Sequence, residues 1–165
     1  MELGSDSRTQ GRPSIVLAVF PFDDDRMWIR DTLSLPDWKL HFASTFLETQ
    51  AALRARAFGA VITEGHLPDG HCWRDILQEV QRMGSAPPVV VADRHADERL
   101  WAEVLNLGAY DLLMKPFDAQ EVVRVMSMAC RRFANEHRMG ARKPPNPEKS
   151  ALSARTKVRT GHGGA

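Results

Sequence analysis

Residues 15–20, Ile-Val-Leu-Ala-Val-Phe, decide the fold of this protein. The run is apolar without interruption and rich in β-branched side chains, which is typical of a strand buried on both faces of a parallel sheet. Shorter strand-like runs follow at 40–43, 60–63, 89–92 and 111–114. The stretches between them place apolar residues at helical spacing. We therefore predict five strands that alternate with five helices.

Parallel strands need crossover connections, and helices supply them. The alternation predicts an α/β fold with a doubly wound, five-stranded parallel sheet in the order 2-1-3-4-5. In such a sheet, ligands bind at the carboxyl ends of the central strands. The loops after residues 20, 64, 92 and 114 are therefore expected to form the functional site.

Several local signals predict where the helices begin and end. Residues 45–48 and 118–121 have the capping-box pattern, and Gly108 follows the fourth helix as an expected left-handed stop. Gly84 is expected to close the third helix. The fifth helix is predicted to run from the second capping box to about Phe133.

The chain has 165 residues, of which 43% are hydrophobic and 26% charged, and these values suit one soluble domain. Residues 15–134 carry 17 acidic and 13 basic side chains, whereas residues 135–165 carry two acidic and seven basic ones. The body is therefore −4 and the tail +5. We predict a flexible segment at 1–13, a folded domain at 14–134 and a disordered basic tail at 135–165. The tail is expected to be a solvated terminus, with contact to nucleic acid or an acidic partner as the alternative.

The expected cellular location and the expected lack of enzyme activity both rest on sequence motifs that are missing. No apolar run approaches the 18 or so residues that cross a bilayer, and the first 14 residues lack the apolar stretch of a secretory signal. Cys72 and Cys130 are expected to be reduced thiols in a cytoplasmic protein with no membrane contact. The phosphate-binding loops of nucleotide enzymes and the nucleophile elbow of hydrolases are missing, so we expect no enzyme activity. Four residues are possible metal ligands, but their spacing matches no regular zinc pattern, and we predict no metal site: Glu64, His66, His71 and Cys72.

Three further segments carry a specific resemblance. They are Leu67-Pro68-Asp69-Gly70, Gly108-Ala109-Tyr110-Asp111 and Lys115-Pro116-Phe117-Asp118. Together with the buried first strand and the acidic residues 23–25 that follow it, they make residues 14–134 resemble the receiver domain of two-component response regulators, which has a flavodoxin-like fold. The resemblance implies a domain that accepts a phosphoryl group from a histidine kinase onto an aspartate ending strand three. It also implies Mg²⁺ bound by acids after strand one, a hydroxyl ending strand four, and a lysine ending strand five.

The acceptor and the metal-binding acids both depart from the family pattern. The acceptor position falls on Glu64, whose extra methylene misplaces the carboxylate; its fixed charge either imitates the phosphorylated state or is simply tolerated. Phe20 and Pro21 fall where the family has its metal-binding acids, and neither can ligate Mg²⁺. Asp23 to Asp25 are expected to be N-caps and solvated charges, and to reach the metal position only if the loop folds back.

Of the family's remaining site residues, which are the hydroxyl, the aromatic switch and the lysine, this sequence has only the lysine. The hydroxyl position falls on Ala92 or Asp93, depending on a one-residue register, and neither side chain is a serine or threonine. The aromatic switch position of the family falls on Leu112. Lys115 survives, and beside Glu64 we predict that it forms a partly buried ion pair.

These departures predict a pseudo-receiver that acts as a phosphorylation-independent interaction module without a cofactor. Receivers communicate through the face of helix four, strand five and helix five, so the expected partner is a histidine kinase, an effector or a second copy. The interface candidates are Leu100, Trp101, Val104 and Leu107, with Trp101 as an anchor or, alternatively, a core residue. One alternative function is a working phosphoreceiver that uses Asp23 to Asp25 for Mg²⁺ and an unusual acceptor such as Asp69. Another is nonspecific nucleic-acid contact through the tail.

Overall fold

The computed structural model describes residues 14–141 of the chain. Five strands alternate with five helices, as predicted. In chain order they are β1 (Ser14–Val19), α1 (Asp23–Thr32), β2 (Trp38–Ala43), α2 (Phe46–Ala55), β3 (Ala60–Glu64), α3 (Trp73–Gln81), β4 (Val89–Asp93), α4 (Glu98–Asn106), β5 (Asp111–Met114) and α5 (Ala119–Gly140).

The strands form one parallel sheet in the order β2-β1-β3-β4-β5, which confirms the predicted topology. The registers align Val19 with Thr63, Glu64 with Ala92, and Asp93 with Met114. The carboxyl ends of β1, β3, β4 and β5 therefore lie along one edge of the sheet. This edge is where a doubly wound fold places its site.

The core has two parts, one on each face of the sheet. Successive residues of a strand point to opposite faces, so Leu17 and Val19 join one cluster while Val16 and Ala18 join the other. All four are fully buried, which confirms the prediction that β1 is buried on both faces. Trp73 contributes the largest side chain of the first cluster.

Side chains cap two helices at the predicted positions. Thr45 Oγ1 accepts a hydrogen bond of 3.1 Å from the backbone N–H of Glu48, and Asp118 Oδ1 accepts one of 2.9 Å from the N–H of Glu121. The return bond of the first capping box differs from the expected one. Glu48 Oε2 accepts from the N–H of Ser44, at 2.6 Å, instead of from that of Thr45.

Some element ends differ from the predictions. Helix α3 ends at Gln81, three residues before Gly84. Helix α5 runs to Gly140 instead of ending near Phe133, because residues 134–139 contain no proline or glycine. The chain divides after Ala134 into two compact units, and residues 135–140, predicted as disordered tail, are helical. The predicted flexible segment 1–13 and the tail from residue 142 lie outside the described residues.

No helix within residues 14–141 is long and apolar enough to cross a membrane.

Gly108 provides a test of the α4–β5 connection. Its φ of +97° is the predicted left-handed stop, and an added Cβ would lie 2.9 Å from Gln81 Nε2. We expect Gly108→Ala to lower the free energy of unfolding by about 1–2 kcal/mol in urea denaturation, since a Cβ is disfavoured in this conformation. The control is Gly84→Ala, because a Cβ at Gly84 meets nothing within 4 Å. Equal losses in both variants would contradict the role of the positive φ.

Candidate functional site

The centre of the site is the Lys115 side chain, directly after β5. Its ammonium donates hydrogen bonds to Glu64 Oε2 at the end of β3 and, over 2.7 Å, to Asp25 Oδ2 in the first turn of α1. Lys115 is only 7% exposed, and the two carboxylates are largely buried. The predicted pair of Lys115 and Glu64 is therefore present, and Asp25 makes it a group of three. One cation shared by two carboxylates leaves the cluster with a net charge of −1 when all three groups are ionised.

Asp25 is placed by the start of α1. The N-cap of this helix is Phe22, and no side chain caps it. The prediction that Asp23 to Asp25 are N-caps is therefore wrong: all three lie in the first turn, where the helix dipole favours acids. The loop after β1 does not fold back toward the metal position, because α1 begins only four residues after β1 ends. The first turn of α1 places Asp25 against Lys115. Asp23 and Asp24 are exposed.

Two phenylalanine rings flank the Lys115 ammonium. Phe20 is fully buried directly after β1, and its ring packs edge-on against Phe117 with a centroid distance of 6.1 Å. Lys115 Nζ lies 5.6 Å from the centroid of each ring. These distances suit a cation–π contact, so the apolar side chain at this position supports the lysine.

The last residue of β4 is Asp93, one of the two candidates for the family's hydroxyl position. Ala92 is buried in the core, whereas Asp93 ends the strand at the site edge. Asp93 Oδ1 accepts from the N–H of His95 at 2.7 Å, and Oδ2 lies 3.6 Å from His66 Nδ1. A Cβ added at Gly65 would lie 2.1 Å from Asp93 Oδ2, so a larger residue at position 65 would require the Asp93 carboxylate to move.

Beside these groups lies an open cleft with a volume of about 440 Å³. Its lining residues are Asp24, Asp25, Trp28, Arg94, Lys115, Pro116 and Phe117. Trp28 and Arg94 were not predicted as site residues from the sequence. Trp28 stacks on Phe117 at a centroid distance of 4.9 Å, and its position three residues after Asp25, on the same helix face, was an available signal.

The chain is similar to known regulators over this region. It is 30% identical over 117 residues to the transcriptional regulatory protein FixJ of Bradyrhizobium diazoefficiens, covering 68% of this chain and 56% of that protein. It is 28% identical over 110 residues to the C4-dicarboxylate transport transcriptional regulatory protein DctD of Rhizobium meliloti, covering 65% of this chain and 24% of that one. The chain therefore spans about half or less of the length of these relatives. No family model matches it.

A solved structure matches most of the chain. The signal receiver domain of an HD domain-containing protein from Pseudomonas fluorescens superposes with a TM-score of 0.71 at 25% identity. The match covers 81% of this chain and 98% of that one. The domain belongs to the receiver family of response regulators. The predicted resemblance is thus confirmed, and the sheet edge around Lys115 corresponds to the edge at which receiver domains carry their site.

Leu112, the residue predicted at the family's switch position, is buried in the first core cluster with Val104 and Ala109. Tyr110, two residues earlier, packs against the other cluster. Position 112 therefore has no aromatic ring that could rotate between inward and outward positions.

The residues of this receiver do not fit Mg²⁺ in the family's manner. Mg²⁺ prefers hard oxygen ligands, and Phe20 and Pro21 offer no side-chain oxygen. The buried carboxylates of Asp25 and Glu64 already share an ammonium. Within the described residues, no group of three or more His, Cys, Asp or Glu side chains could hold a metal ion.

The four residues considered as transition-metal ligands have other contacts. Glu64 bonds Lys115, His66 lies beside Asp93, and the His71 ring stacks on Phe46 at 4.3 Å. The N–H of Cys72 donates to Asp75.

Both cysteines, Cys72 and Cys130, are free thiols. Burial raises the pKa of the Cys130 thiol to about 11, so this thiol is protonated at neutral pH.

The interface candidates separate into core and surface. Val104 is fully buried, so its prediction as an interface residue is wrong; Leu100 packs partly against the core. Trp101 is 50% exposed, which excludes the alternative of a core tryptophan, and Leu107 is exposed as well. Helix α4 therefore packs Val104 and, in part, Leu100 against the core, whereas Trp101 and Leu107 are exposed.

Burial governs the acid–base behaviour of Glu64. Desolvation raises the pKa of its carboxyl above the ordinary value; the hydrogen bond and charge of Lys115 oppose this shift, whereas Asp25 and Asp93 add to it. The folded protein therefore binds this proton more tightly than the unfolded chain does. The stability that Glu64 contributes is fully present below the ordinary carboxyl pKa and is lost as the pH rises through the raised one.

Urea denaturation at pH values between the ordinary and the raised pKa of Glu64 tests whether stability falls as the pH rises. We expect the wild-type free energy of unfolding to fall, relative to that of Glu64→Gln, as the pH rises above the ordinary glutamate pKa of about 4.3. The variant lacks the titrating group and keeps a hydrogen-bonding side chain of similar size. A wild-type advantage that grows with pH would mean that the pKa of Glu64 is lowered instead.

Proposed function

We propose that this receiver domain works in two-component signal transduction as a phosphorylation-independent module that binds another protein and is not itself an enzyme. The observation that carries the proposal is the occupation of the Lys115 ammonium by Glu64 and Asp25. In receivers, the equivalent lysine holds phosphoryl oxygens. Here a carboxylate of the protein already makes that contact, so the pair stabilises one arrangement of the edge without an added phosphoryl group.

Two other positions support the proposal. The acceptor position is Glu64, whose longer side chain has its carboxylate against the lysine. Asp93 ends β4 where the family places a hydroxyl, and a buried carboxylate there repels a phosphoryl group.

A working phosphoreceiver is the second candidate, and one observation favours it. Asp25 lies at the site, 2.7 Å from Lys115 Nζ, so an acid is present beside the acceptor position. Mg²⁺ would then be bound from Asp23 to Asp25 in place of the lysine contact. The alternative acceptor Asp69 has another role: its carboxylate accepts from the N–H of Phe46 at 2.8 Å, which ties the β3–α3 loop to α2.

An amide NMR titration with Mg²⁺ and then with beryllofluoride, a mimic of aspartyl phosphate, distinguishes the pseudo-receiver from the working phosphoreceiver. The pseudo-receiver predicts no localised shifts near residues 20–25, 64 and 115 in the wild type. Glu64→Asp is the matched variant, because it shortens the side chain and frees space beside Lys115. Wild-type shifts in all three regions at low metal concentration would refute the proposal and favour the phosphoreceiver.

The proposal includes a partner protein that binds the face formed by α4, β5 and α5. The candidates for this partner are a histidine kinase, an effector and a second copy of the chain. We further propose that the protein acts in the cytoplasm. The relatives FixJ and DctD are named as transcriptional regulators and are longer than this chain. Nucleic-acid contact through the basic tail at 135–165, most of which lies outside the described residues, should vanish on deletion of 135–165 and weaken steeply with salt.

A further inference from the structure

A groove between α4 and β5 combines an apolar floor with acidic walls. Its volume is about 420 Å³. Trp101, Leu112 and Met114 supply the apolar surface, and Met114 is 56% exposed. Every charged side chain that lines the groove is acidic: Asp97, Glu98, Asp111 and Glu121. We call this the acidic groove.

The acids of the groove differ in how far they are engaged. Asp111 accepts hydrogen bonds from the N–H of Leu112 at 2.8 Å and from Trp101 Nε1 at 3.4 Å, so it ties the indole to β5. Asp97 caps α4. Glu98 and Glu121 are exposed, and their carboxylates have no ion-pair partner in the described part of the chain. Two negative charges are therefore available beside a half-exposed tryptophan.

This charge pattern selects among possible occupants. A twofold dimer through this face would set the same four acids against each other, and like charges across an interface are unfavourable. Nucleic acid and anionic membranes carry the same sign as the groove and are repelled too. A positively charged protein segment is complementary.

We propose that the acidic groove binds a basic amphipathic segment of a partner protein. An apolar side chain of the segment packs on Trp101 and Met114, and its Lys or Arg side chains pair with Glu98 and Glu121. Exposed tryptophans at the centre of a patch are favoured anchors, and the surrounding charges set specificity and association rate. The inference rests on the proposed function, because the groove lies on the α4, β5 and α5 face where that function places the partner.

Fluorescence anisotropy with a designed peptide tests the inference on the full chain. The probe is a labelled peptide of leucine and lysine at helical spacing. We expect Trp101→Ala to weaken binding about tenfold or more, and the double variant Glu98→Gln, Glu121→Gln to weaken it about fivefold at low salt. The control is Asp31→Asn with Asp37→Asn, which removes the same charge from exposed positions outside the groove. Binding by this control should change less than about twofold.

Three outcomes would overturn the inference. One is equal binding of a scrambled peptide of the same composition, since charge alone would then explain it; another is equal weakening by the control variant. The third is self-association of the wild type that Trp101→Ala abolishes, because a second copy would then be the occupant. Binding that requires beryllofluoride would refute the proposed function but keep the partner chemistry. Failure to bind with and without beryllofluoride would refute the inference alone.

Discussion

Replacing Lys115 with methionine is expected to lower the free energy of unfolding by about 3–5 kcal/mol at neutral pH, since removal of one partner leaves buried charge uncompensated. Glu64 and Asp25 would then face each other as two carboxylates without their shared cation. Urea denaturation followed by circular dichroism measures the loss. It should shrink as the pH falls and Glu64 becomes protonated, because the pKa of this carboxyl is already raised by burial.

Two further variants make the Lys115 result interpretable. Lys39→Met makes the same change at an exposed position of β2 and should cost less than about 0.5 kcal/mol. The double variant Lys115→Met, Glu64→Leu should recover much of the loss, because an apolar pair of similar volume replaces a buried ion pair at little cost. A loss in Lys115→Met below about 1 kcal/mol, the range of an exposed ion pair, would contradict a buried cluster.

Trp73→Ala is expected to cost about 3–5 kcal/mol, as large-to-small core substitutions of aromatic residues do. Trp73 is 1% exposed and begins α3. Its backbone N–H donates to the carbonyl of Gly65 over 3.1 Å, which connects the helix to the residue after β3. The cavity left by the indole would therefore open directly behind the site edge. Thermal and urea denaturation both report this loss.

Trp101→Ala is the matched control for this prediction. The same atoms are removed, but the indole is half exposed and lies outside the two core clusters. We expect a loss of less than about 1 kcal/mol. Similar losses in the two variants would show that Trp101 is structural, and would weaken its assignment as an anchor of the acidic groove.

The fold was predictable because its signals are local and repeated. A β-branched apolar run such as 15–20 suits only a buried strand, and the helical spacing between such runs requires crossovers. The strand order and the left-handed Gly108 followed from these patterns and were confirmed. Helix ends were less predictable: α5 continues to Gly140, because its end depends on where a breaker occurs and not on the end of the apolar pattern.

The site was predictable in part. Glu64 ends β3 and Lys115 follows β5 at the same edge of the sheet, so their pairing could be expected. Asp25 could not be assigned to Lys115, since they are 90 residues apart in sequence and successive helix positions differ by about 100° in direction. A one-residue shift of the start of α1 would turn another acid toward the site. The sequence likewise left open whether Ala92 or Asp93 takes the hydroxyl position, and only the structure shows that β4 continues to Asp93.

By itself, then, the sequence determined the receiver fold and predicted Glu64 at the family's acceptor position and Lys115 at its lysine position, because residue type and hydrophobic period are local properties. The tertiary structure decided which acid shares that lysine, that Phe20 and Phe117 flank it, and that Trp101 opens into a groove lined by acids. Those arrangements depend on the direction of each side chain after helices and strands pack, and direction changes with every residue of register.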